Sequence, residues 1–394
     1  MKTHGEIIKE NLPWAREMLV KVDEKMSEVT LRSRDRVVDG VDGFGRHKDT
    51  PPSNWTSGFF GGLNLLLYEH TKNPDYLLTA KRSEEILDSA LADFNCLIHD
   101  VGFMWHILSG AIYRLTGDEG SKNRNLHAAA SLSSRFVLGG NFIRAWNDEN
   151  VRGWIDEDVS DWTIIDCMMN LPLLYWASDA VGDDRFKRLA MAHADTTLRT
   201  HIRPDGSVAH CVKHDRENGD ALASFTGQGY SPDSSWSRGQ SWALYGFTLS
   251  YLHTGEVRYL DAAKRVAHYF ISSVCSEWIP RLDFRAPTEP AYYDTTAGVI
   301  AACGLIELGK ILPSSEGGLY TSAAVKMLRA ISGEYLDTEP ENDCLILGGS
   351  VRYPLTEEDL KKDVIHKNII YGDYFFVEAL LKLVGSDFNP WLSR

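Results

Sequence analysis

"IIYGDYFFVEALLKLV", residues 369–384, is apolar on nearly every face and is the last of six such segments in the chain. Helices apolar on most faces are buried. The five before it are "WTSGFFGGLNLLLY" from Trp55, "HDVGFMWHILSGAIYRL" from His99, "DWTIIDCMMNLPLLYW" from Asp161, "WSRGQSWALYGFTLSYL" from Trp236 and "YYDTTAGVIAACGLIEL" from Tyr292. Each opens in a loop rich in Trp, Tyr, Asp, Thr and Gly. Each of these five is followed by a short turn and an amphipathic helix, as in "NPDYLLTAKRSEEILDSAL", "DDRFKRLAMAHADTTL" and "EVRYLDAAKRVAHYFISSV". The sixth runs on without such a partner. The amphipathic N-terminal stretch, roughly residues 5 to 29, has no apolar helix before it and supplies the missing one. Six helical hairpins closed head to tail make an all-α (α/α)6 barrel, with apolar helices inside and amphipathic ones outside. An open superhelix of the same hairpins is the alternative.

The frame set by composition agrees with this. The 394 residues, 43% of them hydrophobic, suffice for one large helical domain or two ordinary ones. No linker is visible, so residues 1–394 read as a single domain. Residues 31–54 and 203–235, rich in Gly, Pro, Asp and Ser, read as loops over one mouth of the barrel. A formal net charge of -14 disfavours nucleic acid and anionic membrane as partners. No 18-residue apolar run exists, and the N-terminus lacks the pattern of a signal peptide, so the expected location is cytoplasmic. The six cysteines, Cys96, Cys167, Cys211, Cys275, Cys303 and Cys344, are scattered without a C-x-x-C pair, which fits reduced thiols and argues against zinc. Composition leaves the oligomeric state open.

Inside "SDWTIIDCMMNLPLLYW", residues 160–176, stands Asp166. A helix starting after Ser160 or Asp161 places it in the second turn, too deep to be a cap. Thr163 and Asn170 then share its stripe. A carboxylate taken out of water costs several kcal/mol unless it is paired, protonated or used in chemistry. Either it is tied to Asn170 or a neighbouring helix as a structural hydrogen bond, or it is catalytic. Asp100, in "HDVGF", interrupts another apolar segment, and glycosidases commonly work with such a pair. A proton donor of this kind needs a raised pKa. Position in the first turns of a helix lowers it, whereas burial and a second carboxylate raise it. Trp55, Trp105, Trp154, Trp162, Trp236 and Trp242 lie in or near the loop-to-helix junctions, and such a cluster suits the C–H faces of a sugar.

"HDVGF", "TIIDCMMNLPLLYW", "GQGYSPDSSWSRGQSWALYGF" and "GDYF", in this order, resemble glycoside hydrolase family 88, the unsaturated glucuronyl hydrolases. The resemblance spans about Trp55 to Leu383 and implies an (α/α)6 barrel. It further implies a substrate in which a 4,5-unsaturated uronic acid ends a lyase-generated oligosaccharide, and a reaction that hydrates the C4=C5 vinyl ether. Asp166 matches the family's acid and base and Asp100 its second carboxylate. His210, Gln228, Arg238, Trp242 and Trp55 match the sugar subsite, with Arg238 as the expected bidentate partner of the uronate carboxylate. Neither a metal nor an organic cofactor is required. Two departures stand out. Tyr371 occupies the place of an expected Trp before "GDYF", and the Ser-x-x-Ser-x-Lys pattern of members acting on sulfated disaccharides is absent, which weighs against a sulfate preference. Arg352, Lys361, Lys362 and Lys367 remain as cations for an anionic group, although "EEDLKKD" reads most simply as a solvated helical face. An unsaturated rhamnogalacturonyl hydrolase and a non-catalytic sugar-binding barrel are the alternatives.

Overall fold

The computed structural model describes residues 2–148, 158–274, 276–362 and 364–393. Trp154 and Cys275 lie outside the described residues. Capping by Thr3, whose hydroxyl accepts the Glu6 N–H while the Glu6 carboxylate accepts the Thr3 N–H, starts α1 (His4–Arg32). A two-stranded hairpin and a run of turns then lead into α2 (Phe59–Thr71), which buries Phe59 through Leu67 without interruption. Its partner α3 (Pro74–Leu91) is capped by Asn73 and buries only one face. The pattern repeats. Inner elements are α2, a π-helix (Gly102–Gly110) continued as α4 (Ala111–Thr116), α6 (Leu171–Val181), α8 (Ser237–Thr254), α10 (Thr295–Ile311) and α12 (Ile370–Leu383). The outer ones are α1, α3, α5 (Glu119–Ser134), α7 (Arg185–Thr200), α9 (Val257–Ser273) and α11 (Ser314–Tyr335).

The inner elements pack in a closed cycle, α2 on the π-helix, that helix on α6, then α8, α10, α12 and back to α2. α1 lies against α11 and α12, as the ring closure requires. The seam is aromatic. Phe59 of α2 meets Tyr371, Tyr374 and Phe375 of α12 with ring centroids 5.8, 5.3 and 5.9 Å apart. The architecture is the (α/α)6 barrel read from the repeats.

Two expectations are corrected. The segment from Ser160 is not one helix: Trp162–Ile164 is a strand, Ile165–Met169 a 3-10 turn, and the α-helix starts only at Leu171. Thr163 and Ile164 are β-branched and pair with Val212 and Cys211, so the sheet outcompetes the helix there. The loop 203–235 supplies the other two strands, Cys211–His214 and Ala221–Phe225, and residues 38–49 form a two-stranded hairpin instead of plain loop. Thr163 accordingly does not share a stripe with Asp166. Its hydroxyl lies 2.7 Å from both His201 Nε2 and His214 Nε2. Cys96, Cys167, Cys211, Cys303 and Cys344 are free thiols. No described helix is long and apolar enough to cross a membrane.

The two ends of the barrel differ. At one end the C-terminal tail folds inward as a plug: Trp391 is fully buried, its ring parallel to Phe375 at 6.0 Å, and its indole N–H donates to Glu378. Arg114 donates to the carbonyls of Asn389, Pro390 and Leu392. Toward the other end, Asp373 in the first turn of α12 accepts the Leu345 and Ile346 N–H groups and the Asn368 amide, pinning two loops to the inner helix. Burial pushes its carboxyl up to about 7.

Truncating Trp391 to Ala should lower stability by about 3–5 kcal/mol, the usual cost of emptying a large aromatic site. Denaturant unfolding checks this, and a loss below about 1 kcal/mol would show that the tail is no plug. For Asp373 the sign of the pH effect follows from its folded pKa near 7 against 3.8 when free. Between those values the folded protein keeps a proton that the unfolded chain has lost, so raising the pH through that window withdraws stability. Relative to wild type, the melting temperature of Asp373→Asn should therefore improve from pH 5 to pH 8. A constant difference across that range would show the carboxyl to be ionised throughout.

Candidate active site

Where Ile165–Met169 turns and the Gly102–Gly110 π-helix begins, the two sequence-predicted carboxylates come together. Asp100 is 6% exposed and Asp166 7%. Neither has a cation as its hydrogen-bond partner. Asp100 is held by neutral groups on either side: Asn170 Nδ2 donates to Oδ1 at 3.4 Å, and His99 Nε2 lies 3.2 Å from Oδ2. Burial keeps His99 well below its ordinary pKa, so its ring is neutral. Burial, with the Asp166 carboxylate as the second cause, pushes Asp100 well above the usual carboxylate range. Two buried carboxyls coupled in this way favour sharing one proton.

His210 faces Asp166 in a defined tautomer. Its Nδ1 accepts the Gln228 backbone N–H at 2.9 Å, so the ring proton sits on Nε2, 3.5 Å from Asp166 Oδ2. That separation is too long for a good hydrogen bond, and both atoms are buried without any hydrogen-bond partner. Buried polar groups are ordinarily satisfied, and unsatisfied ones gathered at a cleft mark a place for polar ligand atoms. The strand pairing explains the placement: His210 precedes Cys211, which pairs with Ile164, so His210 and Asp166 flank one end of the same ladder.

Beside this cluster lies a cavity of about 230 Å³. Trp55, Gln228 and Arg238 are on its wall, with Tyr371, Asp39 and Asn368. Asp100, Asp166, His210 and Trp242 do not line it, but share neighbours with it. Trp55 packs on Phe103 and Tyr371, and Trp242 packs on the same two rings from within the core. Trp242 is fully buried, so its indole builds the base of the site, Trp105 is fully buried too, and among the described junction tryptophans only Trp55 offers a partly open face. Trp162 stacks on Phe225 at 3.8 Å in a satellite cluster, and Trp236 stacks on His210 at 4.2 Å. A larger groove of about 580 Å³ between α3 and α5, lined by Asp88, Phe94 and His127, shares no residue with the carboxylates and is a surface feature.

The bidentate grip expected of Arg238 has to come from the donors its internal partners leave over. One Nη lies 2.5 Å from both Asp294 Oδ2 and the Ser350 carbonyl, and the other donates to the Val351 carbonyl at 2.7 Å. At 1% exposure a guanidinium needs an internal counterion, and Asp294, capping α10, provides it. Only Nε is left without a partner. Arg352 pairs with Asp359 at 2.6 Å, and Lys361 and Lys362 are exposed. Sequence reasoning does not single out His99, Asp39 or Asp294. The adjacency of His99 to Asp100 was the only available signal.

With the geometry in hand, the similarities to known proteins fall into line. The model of Glycosyl Hydrolase Family 88 matches residues 32–364. The chain is 34% identical over 367 residues to the unsaturated glucuronyl hydrolase of Bacillus sp. (strain GL1), covering 91% of this chain and 94% of that one. It is 32% identical over 346 residues to the unsaturated chondroitin disaccharide hydrolase of Streptococcus pyogenes serotype M1, covering 86% and 83%. The crystal structure of the Bacillus sp. GL1 unsaturated glucuronyl hydrolase, described as responsible for the degradation of glycosaminoglycan, superposes with a TM-score of 0.86 at 31% identity, over 95% of this chain and 99% of that one. The chain is thus a glycoside hydrolase and belongs to glycosyl hydrolase family 88.

Proposed function

We propose that this enzyme, one barrel domain, removes a 4,5-unsaturated uronic acid from the non-reducing end of a lyase-generated oligosaccharide by hydrating the C4=C5 bond. The observation that carries the reading is the buried, electrostatically coupled pair Asp100 and Asp166, with Asp166 Oδ2 unpartnered opposite the Nε2–H of His210. A purely structural carboxylate in such a place would be hydrogen-bonded. Relatives named for unsaturated glucuronyl and chondroitin disaccharide hydrolysis support the substrate class.

The chemistry balances around one carboxyl. The unsaturated ring is a vinyl ether, with the ring oxygen on C5. Asp166, protonated, gives its proton to C4, and the positive charge that develops on C5 is shared with the ring oxygen. Water adds at C5 and surrenders a proton to the Asp166 carboxylate, which restores the starting state. The resulting hemiketal opens by cleavage of the bond between C5 and the ring oxygen, leaving a C5 ketone and a hemiacetal at C1 that expels the partner sugar. Asp100, the electrostatic neighbour, favours keeping a proton within the pair and helps position the sugar. Trp55 is proposed to stack on a ring, and Gln228 and His210 to meet hydroxyl or carboxylate oxygens. Trp242 acts from below by fixing Phe103 and Tyr371. Arg238 is proposed to meet the uronate carboxylate with its free Nε–H and the remaining N–H of the Nη that bonds Val351, while Asp294 and Ser350 occupy the other Nη.

Asp166→Asn should fold normally and lose at least about a thousandfold in turnover, followed as disappearance of the conjugated enuronate absorbance from unsaturated disaccharides. Near-normal turnover would remove Asp166 from the mechanism. In heavy water the product should carry deuterium at C4, and labelled water oxygen should enter at C5. Oxygen label at the anomeric carbon, or release of sugar from a saturated glucuronide, would return the two carboxylates to conventional displacement.

A further inference from the structure

Asn170 joins the two segments that bear the carboxylates. It is fully buried. Its Oδ1 accepts the Phe103 N–H at 3.0 Å, which fixes the orientation of the amide, because an N–H can only meet the oxygen. The Nδ2 is thereby aimed back at the site. It donates to Asp100 Oδ1 at 3.4 Å and to the Asp166 backbone carbonyl at 3.3 Å. One planar group thus uses its acceptor on the 100–103 segment and its two donors on the carboxyl of Asp100 and the main chain of Asp166. The contact is close enough to exclude a side chain opposite: a Cβ on Gly102 would stand 2.7 Å from Asn170 Oδ1 and 2.8 Å from its Cα.

We propose that Asn170 is a positioning residue for the hydration reaction: its amide sets the spacing of Asp100 and Asp166 and supplies the hydrogen-bond donor that opposes protonation of Asp100. This rests on the reading of Asp166 as the acid given above. The consequence for protons follows from the groups that face Asp100. Asp166 faces it from the 3-10 turn, His99 from its own segment and Arg135 from the end of α5, with the buried Cys167 thiol nearby. Burial and Asp166 raise its pKa, while Asn170 and Arg135 act in the opposite direction. A hydrogen bond to the ionised form favours that form. Removing the amide therefore lets Asp100 hold its proton to higher pH.

The test is the pH dependence of kcat and KM for Asn170→Ala on an unsaturated disaccharide, beside wild type and Asp166→Asn. The acid limb of kcat should move up by about one pH unit, and kcat at neutral pH should fall about tenfold or more, with KM changed less than about threefold. Gly102→Ala approaches the same amide from the other side without touching either carboxyl, and should move the same limb in the same direction. Where Asn170→Ala does not accumulate as folded protein, Asn170→Asp, which keeps an acceptor for the Phe103 N–H, carries the measurement. A wild-type acid limb in the folded variants would overturn the proposal, as would a loss of kcat that follows the melting temperature alone. Wild-type turnover in Asp166→Asn would instead strike the underlying mechanism, so the two failures are told apart.

Discussion

Everything in this structure hangs on the contact between its last inner helix and its first. Phe59 of α2 sits among Tyr371, Tyr374 and Phe375 of α12, and that aromatic seam turns six consecutive hairpins into a ring. Each such pair adds about 0.5–1.5 kcal/mol beyond the burial of the rings themselves. Without it the inner faces of the two terminal hairpins would be open to water, and the apolar helices could not stay apolar on every side. Closure also brings Trp55, just before α2, onto Tyr371 of α12, so one seam both completes the core and forms part of the cavity wall.

A ring of inward helices makes a dry interior, and a dry interior makes charge expensive. The protein answers in two ways. At the plugged end it neutralises: Lys382 bridges Glu307 and Glu378 with all three nearly excluded from solvent. Around the cavity Arg238 and Asp294 form a fully enclosed ion pair. Asp100 and Asp166 have no such cation against them: their partners are an amide, a neutral imidazole and a fixed His210 tautomer. Asp373 also lacks a cation but accepts three hydrogen bonds, whereas Asp166 Oδ2 accepts none, so the unmet acceptor marks the reactive carboxylate better than burial does: Asp294 is more deeply buried than either.

Local irregularity goes with function here. The two reactive carboxylates sit beside the two inner elements that are not simple α-helices, one opened by a π-helix and the other by a 3-10 turn reached from a strand. Regular helices would carry Asp100 and Asp166 on surfaces set by the 3.6-residue period, whereas the widened and tightened turns re-aim them toward each other. Gly102 permits the approach, because any Cβ there would overlap Asn170.

The sequence by itself determined the barrel and the candidate carboxylates, because both are written in patterning. Six all-apolar helices alternating with amphipathic ones have few ways to bury their surfaces, and an aspartate in an apolar stretch stands out against its neighbours. It did not determine that residues 162–164 are strand, that Arg238 already has a counterion, or that most of the junction tryptophans are walls and floor instead of ligand platforms. Those outcomes depend on partners far away in the chain: Val212 and Cys211 for the strand, Asp294 for the arginine, Phe225 for Trp162. Periodicity reports which face of an element is buried. Which group a buried polar atom meets there is a property of the packed assembly, and that only the tertiary structure decided.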